Sequence, residues 1–461
     1  MCLYPYREDL KRGRYYPPVG LEIVARALRD HCAKIDVVDL RHERGVGVDF
    51  LREDTDLVCA SVNWDRDIEF VREQINSVPA ETFTVIGGRH ATEDPEKWLA
   101  ECPNVDVLVR GDGEEAIVEI ARGDALESIA GISYRRGGEM VHNPNRRCGQ
   151  ISDEIYPDRS LRRYSYDLDF EGAGSGITVD AVAGSRGCPF NCRFCSFNLN
   201  PWGEKRPYSE RSAESVVEEL EKVDADLVIF TDDVFTHHPE RAARIAELIV
   251  ERGIRKRFVV NSRIEISRRM DVIRKMEKAG FVALLLGIES SQDKTLKSMN
   301  KGFDTAKIVE RFDKLRHTSM ILHGYFILGC IGETEEEMLE IAPFAHKLGV
   351  DTLGLSPLRT HPHDGLSQLV AETPGYHVSS SGFVYSDEIS RERLREIRRK
   401  VWRRFYTPGH MLRLAWKFLR GGVFTPRMLL RVLLAAGRGE LARRRRRRER
   451  RRQRSQRLAG R

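Results

Sequence analysis

The sequence predicts an α/β fold in three parts: a doubly wound parallel sheet, a partial barrel of six strand–helix units, and a mostly helical C-terminal region. Two observations carry this prediction. Short apolar runs alternate with helix-like stretches through residues 1–125 and again from 178 to 360, and this alternation is typical of parallel sheets covered by helices. From residue 388 onward, basic residues are mixed with Leu, Trp and Phe, a pattern that favours helices.

The chain has 461 residues, enough for two or three domains with cores of their own. Apart from one group of three, its nine cysteines are scattered, which favours a reducing compartment. The N-terminus has no signal-peptide pattern, and no apolar run approaches the length that spans a bilayer. We therefore expect a soluble, cytoplasmic protein.

The net charge of +6 is concentrated at the C-terminus. Residues 441–461 contain twelve Arg and one Glu, a local charge of +11, which leaves −5 for the other 440 residues. The main body is mildly acidic, so the composition predicts no nucleic-acid partner. The low complexity of the tail predicts a disordered segment, with peripheral contact to an anionic membrane surface as its expected role.

Strands of the first unit, residues 1–125, are predicted at four apolar runs: Ile35–Leu40, Leu57–Val62, Phe83–Ile86 and Val105–Val109. A helix is predicted between Leu21 and Cys32. Glycines follow two of the runs, at Gly87 and Gly88 and at Gly111 and Gly113. Ligands of open α/β sheets bind at this edge, although such glycines also simply permit tight turns between strand and helix.

Residues 126–177 are predicted to be a connector containing one β-hairpin, which turns at Gly137-Gly138. The second unit, residues 178–370, opens with a predicted strand from Ile177 to Ala183. Its further strands are predicted at five apolar runs: Leu227–Phe230, Phe258–Val260, Val282–Leu286, Tyr325–Leu328 and Thr352–Leu355. Six strand–helix units predict a partial barrel, whose chemistry gathers at the C-terminal ends of its strands.

Residues 371–440 are predicted to be a mostly helical region that packs as a cap. Arg and Lys are mixed there with Trp402, Trp416, Phe418 and a Leu-rich run at 428–434. A second interpretation of this composition is an amphipathic helix lying at a membrane interface.

A glycine-bounded turn at the start of the second unit holds Cys188, Cys192 and Cys195 in a C-x3-C-x2-C spacing. Thiolates suit iron–sulfur clusters or zinc. A structural zinc site needs four protein ligands, and no further Cys or His lies nearby in the sequence. Three ligands fit a four-iron cluster in which one iron is left open.

This spacing resembles the cysteine motif of the radical S-adenosylmethionine (radical SAM) superfamily. The resemblance implies a 4Fe-4S cluster on the three cysteines, with the amino and carboxylate groups of SAM on the open iron. Four later segments are similar to family segments and occur in the family's order: Thr231–Thr236, Asn261–Glu265, Gly287–Ser291 and Phe326–Thr334. In the last of these, Cys330-Ile331 replaces the usual apolar–Pro pair.

Five residues are predicted to contact SAM. The resemblance places Phe194 beside the adenine, and a plain core aromatic is the alternative. Asp232 and Asp233 end the second barrel strand, where carboxylates accept hydrogen bonds from the SAM amino group or cap a helix. Glu289 suits the ribose hydroxyls and Arg263 suits the methionine carboxylate, although Arg263 also suits a structural ion pair.

Three segments of the first unit look like the cobalamin-binding (B12-type) domain that precedes many radical SAM cores: Tyr15–Ala25, Val85–Thr92 and Val109–Glu115. The Asp-x-His-x-x-Gly signature, which supplies a histidine to cobalt in some cobalamin proteins, is absent after the first strand. The resemblance implies cobalamin bound at Gly87, Gly88, Gly111 and Gly113 without a protein histidine, or a domain that keeps the fold without the cofactor. His90 is the nearby histidine, in a segment that also suits the start of a helix.

Together these segments identify a radical SAM enzyme with a cobalamin-type N-terminal domain. The family's chemistry implies a reduced cluster that cleaves SAM to methionine and a 5′-deoxyadenosyl radical, which takes hydrogen from an unactivated carbon of a small-molecule or lipid substrate. With cobalamin, methylation of that carbon is the expected outcome; without it, cyclisation or another rearrangement is expected. A flavodoxin or ferredoxin is the expected electron donor. A non-catalytic iron–sulfur protein of electron transfer or sensing is the alternative class, disfavoured because the sequence has no second cysteine cluster.

Overall fold

The computed structural model describes residues 1–7, 16–170, 173–196, 199, 202–361, 365–422, 424–432 and 434. The predicted arginine-rich tail, residues 441–461, lies outside these residues. Two mostly parallel, seven-stranded sheets form the body of the described chain, and helices follow at its C-terminal end. The predicted fold class is thereby confirmed.

The first sheet has the strand order β2-β1-β3-β4-β5-β6-β7. Its strands are β1 (Cys2–Tyr4), β2 (Val37–Asp39), β3 (Leu57–Ser61), β4 (Phe83–Gly87), β5 (Val107–Val109), β6 (Ile132–Arg136) and β7 (Glu139–His142). The predicted hairpin is β6–β7, and it extends this sheet by antiparallel pairing with β5. The helices of this unit are α1 (Val19–Ala27), α2 (Ile68–Asn76), α3 (Arg89–Glu93), α4 (Pro95–Glu101) and α5 (Glu114–Arg122).

Among the strands of the first sheet, β1 is the one that the sequence did not predict. Its three residues are buried and pair with both β2 and β3, so β1 lies inside the sheet. An apolar run of three residues followed directly by Pro5 is too short to show strand periodicity. The predicted helix between Leu21 and Cys32 also differs, because α1 begins at Val19 and ends at Ala27.

The second sheet has the order β16-β15-β14-β13-β12-β9-β8, in which β8 (Asp167–Phe170) is antiparallel to its neighbour. Its six parallel strands are β9 (Ala173–Val182), β12 (Leu227–Phe230), β13 (Arg257–Ser262), β14 (Phe281–Glu289), β15 (Ile321–Leu328) and β16 (Thr352–Pro357). A short antiparallel pair, β10 (Ser185–Arg186) and β11 (Ser209–Glu210), lies beside the cysteine turn. All six predicted barrel strands are present, and β8 is an addition.

Helices of the second unit cover its sheet and bury their apolar faces against it. They are α6 (Ala213–Lys222), α7 (Pro239–Glu251), α8 (Met270–Lys278), α9 (Asp293–Ser298), α10 (Thr305–Leu315), α11 (Glu335–Leu339) and α12 (Ile341–Leu348). Thr334 accepts a hydrogen bond from the Glu337 backbone while the Glu337 side chain accepts one from the Thr334 backbone. This reciprocal pair is a capping box, and it fixes where α11 begins.

The C-terminal region combines helices with one hairpin. Its elements are α13 (Gly365–Ala371), β17 (Tyr376–Val378), β18 (Val384–Ser386), α14 (Arg391–Phe405) and α15 (Pro408–Arg420). The helices were predicted, whereas the antiparallel hairpin β17–β18 was not. No helix among the described residues is both long enough and apolar enough to cross a membrane.

Buried ion pairs join α1 of the first unit to β9 of the second unit through Arg162. Arg162 donates to both carboxylate oxygens of Glu22 on α1, at 2.6 and 2.7 Å, and to both of Asp180 on β9, at 2.9 and 2.7 Å. Burial alone would raise the pKa of Asp180, but Arg162 and Arg159 outweigh burial and hold that pKa below its ordinary value. Burial raises the pKa of Glu22 in spite of Arg162. The contact therefore fixes α1 against the edge of the second unit.

We expect Arg162→Met to destabilise the chain, because it leaves Glu22 without a cation and Asp180 with one fewer. Breaking a buried ion pair from one side costs about 3–5 kcal/mol, so the urea unfolding midpoint should fall clearly. Arg163→Met is the matched control, since Arg163 pairs with Glu43 at a more exposed position and such pairs contribute at most about 1 kcal/mol. Equal midpoints for the two variants would contradict the assignment.

Candidate cofactor site at the strand ends

The turn that carries the cysteines is anchored to the ends of β9 and β12. Asp232, directly after β12, is fully buried, with 0% of its surface exposed. One of its oxygens accepts a hydrogen bond from the Gly184 backbone at 2.8 Å, and the other accepts one from the Ser185 hydroxyl at 2.6 Å. Burial raises the pKa of Asp232. Both oxygens of this carboxylate are thus engaged inside the chain, where they position the start of the turn.

The three cysteines lie in the described part of this turn. Cys188 and Cys195 are half-buried and Cys192 is buried, and the Cys195 backbone donates to the Cys192 carbonyl at 3.2 Å. Burial raises the pKa of the Cys188 thiol. Among the described residues, no group of three or more His, Cys, Asp or Glu side chains has converged into a metal-holding arrangement. The donor set, three thiols on one short turn, is nevertheless chemically suited to iron and sulfide.

Arg263 lies beside Cys192, at the end of β13. Its guanidinium lies 3.7 Å from the centre of the Phe190 ring and 3.9 Å from the Cys192 sulfur. It also donates to the Lys301 carbonyl at 3.0 Å and pairs with Glu265 at 3.1 Å. The structural ion pair foreseen from the sequence is therefore present, and it holds a buried cation next to a cysteine.

Glu289 ends β14 in a left-handed backbone conformation, with φ of 73°. The pairing of β14 with β15 shifts register between Gly287 and Glu289. The carboxylate is buried and pairs at 2.9 Å with the buried amine of Lys301. A non-glycine residue held at positive φ, with a buried charge pair, is a feature that clusters at functional sites. Lys301 had no predicted role.

Phe194 is half-buried between the cysteine turn and the end of β15. It packs against a buried cluster that includes Met299, Ile327 and Cys330, and its ring centre lies 5.7 Å from the Lys301 amine. Its apolar contacts agree with the alternative of a core aromatic, and its position close to Lys301 places it beside the charge pair of Glu289.

Asp233 differs from its neighbour Asp232. It is half-buried, and it accepts no hydrogen bond from any other described residue. Burial, followed by the charge of Asp232, raises the pKa of Asp233 to about 6, while Arg206 and Arg89 act in the opposite sense. Of the two predicted carboxylates, Asp233 is therefore the one available to a ligand.

We expect Asp233→Asn to change how the stability of the cofactor-free protein depends on pH. The carboxyl of Asp233 has a pKa of about 6 in the folded protein and an ordinary pKa of 3.8, so the folded state favours its protonated form. The contribution of this group to stability is therefore fully present below pH 3.8, the value expected in the unfolded chain, and is lost as the pH rises through about 6. Across this pH range the free energy of unfolding of the wild type should therefore fall by up to about 3 kcal/mol relative to that of the variant. Thermal unfolding of both proteins between about pH 4 and 7 measures the difference. Parallel curves would contradict the raised pKa.

The predicted glycines of the first sheet lie at its carboxyl edge. Gly88 has φ of 98°, and a β-carbon there would lie 2.7 Å from the Val62 carbonyl oxygen, so the turn itself requires glycine. Gly111 also has a positive φ, of 86°, and a β-carbon there would be 3.5 Å from the ring of Trp202. Gly87 and Gly113 would make only ordinary contacts. The turn requirement explains Gly88, whereas Gly111 lies directly under a residue of the second unit.

His90 lies inside α3, as its alternative interpretation predicted. Its ring packs edge-on against Trp98 of α4, with centres 5.8 Å apart, and its Nδ1 atom lies 3.6 Å from the Glu93 carboxylate. These contacts direct the ring toward a neighbouring helix. The position of His90 fits a cofactor at this edge that takes no histidine from this segment.

The glycine edge of the first sheet contacts the flanks of the cysteine turn. Asp112, between the two glycines, pairs with Arg206 at 2.6 Å and with Arg186 at 3.5 Å, and Arg186 also pairs with Glu114. Arg89 donates to the Ser196 hydroxyl, next to Cys195. The segment that carries the glycines predicted for cobalamin and the turn that carries the cysteines predicted for the cluster therefore meet across one interface. None of these ion pairs was predicted, because partners so far apart in the chain leave no local pattern.

Glu333 is a second residue that the sequence did not single out. Its Oε2 atom accepts hydrogen bonds from the Gly329 and Cys330 backbones, at 2.9 and 3.1 Å, while its Oε1 atom is buried without a hydrogen-bond partner among the described residues. Burial raises the pKa of Glu333 to about 7. Cys330 beside it is buried and packs as a small apolar residue.

Comparisons with known proteins agree with this arrangement. A profile described as the radical SAM superfamily matches residues 182–345, and one described as the B12 binding domain matches residues 10–121. An uncharacterised methyltransferase of Pyrococcus horikoshii is 30% identical over 371 residues, 76% of this chain and 78% of that protein. An anaerobic magnesium-protoporphyrin IX monomethyl ester cyclase of Cereibacter sphaeroides is 28% identical over 76% of this chain and 59% of its own length.

Among solved structures, the radical SAM methyltransferase TsrM of Kitasatospora setae, with tryptophan and a SAM analogue bound, has a similar fold. Its TM-score is 0.70 at 18% identity, over 88% of this chain and 89% of that chain. At this level of identity the similarity concerns the fold alone. It extends over the B12-type unit and the partial barrel together.

Proposed function

This chain belongs to the radical SAM superfamily and carries a B12-binding domain before the core, and from this premise we propose that it is a cobalamin-dependent methyltransferase acting on an unactivated carbon of a small molecule or lipid. One observation carries the proposal. The glycine edge of the B12-type sheet is joined to the cysteine turn through Asp112, Arg186 and Arg206. Methyl transfer between two cofactors requires their sites to adjoin.

The two matched domains confirm the predicted cofactors as a class: a 4Fe-4S cluster, SAM and cobalamin. When bound, the reduced cluster supplies the electron that cleaves SAM to a 5′-deoxyadenosyl radical, and cobalamin supplies the methyl group. The protein supplies position and exclusion of water. The following residue roles are our proposals.

Cys188, Cys192 and Cys195 hold the cluster, and Arg263, which lies 3.7 Å from the centre of the Phe190 ring and 3.9 Å from the Cys192 sulfur, binds the methionine carboxylate. Asp232 positions the turn from beneath through Gly184 and Ser185 rather than binding SAM. We therefore move the predicted contact with the SAM amino group to Asp233 alone.

Glu289 and Phe194 form the nucleoside side of the proposed SAM site. Lys301 holds the Glu289 carboxylate in place and lies close to the Phe194 ring. The carboxylate would accept hydrogen bonds from ribose hydroxyls, and the ring would lie against the adenine. Gly111, below Trp202, together with Gly87, Gly88 and Gly113, forms the proposed edge for cobalamin.

A cyclase or rearrangement enzyme that does not use cobalamin is the second candidate. The relative named as an ester cyclase supports it, since that protein matches 76% of this chain. The ion pairs between the glycine edge and the cysteine turn favour methyl transfer, because a cobalamin-free enzyme would not need the two edges to adjoin.

Partners are also part of the proposal. A flavodoxin or ferredoxin would reduce the cluster. The arginine-rich tail, outside the described residues, would tether the enzyme to an anionic membrane surface through its charge of +11.

The experiment that tests cobalamin binding is anaerobic reconstitution with hydroxocobalamin, followed by absorbance and electron paramagnetic resonance of the cobalt(II) form. We expect retained cobalamin and a cobalt signal without splitting by a protein nitrogen. His90→Ala is the matched variant and should leave the spectrum unchanged. A nitrogen-split signal that disappears in His90→Ala would overturn the no-histidine proposal, and the absence of retained cobalamin would favour the second candidate.

A further inference from the structure

Helix α15 presents large apolar side chains to solvent. Leu412, Trp416 and Leu419 are 74%, 59% and 41% exposed. Their spacing of four and three residues puts them on one face of the helix, where the three side chains form an apolar stripe, the α15 stripe. Further exposed apolar residues lie nearby in the chain, at Met411, Leu430 and Leu434. Contiguous apolar surface of this kind marks an interaction site.

The orientation of the stripe is fixed by the opposite face of the helix. Leu414 is buried and Phe418 is half-buried, and both pack in a cluster with Val282, Ala283 and Ile321 of the second sheet. The stripe cannot turn inward without emptying this cluster. Phe418 also stacks near Phe424, with ring centres 5.3 Å apart, which continues the packed face beyond the end of α15.

The chain on both sides of the stripe is basic. Residues 397–434 contain ten Arg and Lys and no Asp or Glu, and two of the ten are paired with acids of other elements, Lys417 with Asp351 and Lys400 with Glu335. Arg413 and Arg420 are exposed on α15 itself, and the Arg420 guanidinium lies 4.9 Å from the centre of the Trp416 ring. Leu and Trp on one face, flanked by Arg and Lys, is the pattern of a helix that lies in the interface of an anionic bilayer. A nucleic acid would use the arginines but would leave the leucines in water.

We propose that the α15 stripe and the basic residues around it form a surface that docks on an anionic phospholipid bilayer. This goes beyond the tether proposed for the tail, because the docking surface lies within the folded chain and inserts apolar side chains. It does not depend on the methyltransferase proposal.

The position of α15 in the fold sets the orientation of the docked enzyme. The cluster beneath α15 includes Leu227, Val282 and Ile321, which lie at the starts of their strands. The cysteine turn lies at the opposite ends of the same sheet. Docking through α15 therefore leaves the cofactor edge of this sheet on the side away from the bilayer.

The test is co-sedimentation of the full chain with vesicles of phosphatidylcholine, with and without phosphatidylglycerol. We expect binding only when phosphatidylglycerol is present, weakened by salt. The triple variant Leu412→Ser, Trp416→Ser, Leu419→Ser should bind these vesicles at least about tenfold more weakly than the wild type. Val250→Ser, which changes an exposed apolar residue on α7, is the matched control and should bind like the wild type. Removal of residues 441–461 should weaken binding without abolishing it.

A second measurement does not depend on how the triple variant folds. Vesicles should shift the tryptophan emission of the wild type to shorter wavelength, and the conservative variant Trp416→Phe should lose that shift while still binding. Undiminished binding by the triple variant, or an unchanged shift in Trp416→Phe, would overturn the proposal. The proposal would also be overturned if the wild type did not bind vesicles but formed dimers that the triple variant cannot form, since the stripe would then join copies of this chain.

Discussion

The triple variant Cys188→Ala, Cys192→Ala, Cys195→Ala should retain almost no iron or sulfide after anaerobic reconstitution, and it should no longer cleave SAM. Thiolates are the only soft ligands on the turn, and three are needed to hold a cluster with one open iron. Iron and sulfide analysis measures the loss directly. Since the thiols are at most half-buried except at Cys192, the fold should survive the changes.

The control for this variant is Cys330→Ala. Cys330 is buried beside Glu333, at the end of β15, and packs as a small apolar residue. It should keep the full iron content of the wild type. Wild-type iron in the triple variant would remove the cysteine turn from the site, and loss of iron in Cys330→Ala would add a ligand that the account does not contain.

Glu289→Gln should weaken SAM binding by about 10- to 100-fold, because a hydrogen bond to a charged group contributes about 1.5–3 kcal/mol. Glutamine is the informative replacement. Alanine would leave the buried amine of Lys301 without its partner, and breaking such a pair destabilises a protein by about 3–5 kcal/mol. Calorimetric titration of cluster-loaded protein with SAM measures the affinity, and iron analysis shows that the cluster is retained.

Glu240→Gln, on the exposed surface of α7, is the matched control for this charge change and should bind SAM normally. Unchanged affinity in Glu289→Gln would remove Glu289 from the SAM site. Loss of iron together with affinity would instead give Glu289 a structural role in holding the cysteine turn.

The sequence predicted most of the fold because strand–helix alternation is a local signal. The runs at Leu227–Phe230 and Thr352–Leu355 lie within β12 and β16. The strand β1 was missed because three residues are too few to show periodicity. The hairpin β17–β18 was missed inside a region whose composition favours helices.

The sequence predicted the type of site and the segments that form it, but few of the contacts between its residues. The cysteine spacing located the turn, and the carboxylates at the strand ends were found because parallel strands gather such residues at one edge. The different roles of Asp232 and Asp233 were not predictable, because the two residues are adjacent in sequence. Asp232 accepts hydrogen bonds from Gly184 and Ser185, whereas Asp233 does not. The pairing of Asp112 with Arg206 spans distant segments and depends on how the two units pack.

We propose that this enzyme uses SAM and cobalamin together at adjoining sites. The most direct test is chromatography with mass detection of the products that the reduced, cluster-loaded protein forms from SAM, with and without bound cobalamin. We expect 5′-deoxyadenosine together with S-adenosylhomocysteine, the second product appearing only when cobalamin is bound. Formation of 5′-deoxyadenosine alone, unaffected by cobalamin, would contradict the claim and point to a cobalamin-free radical reaction.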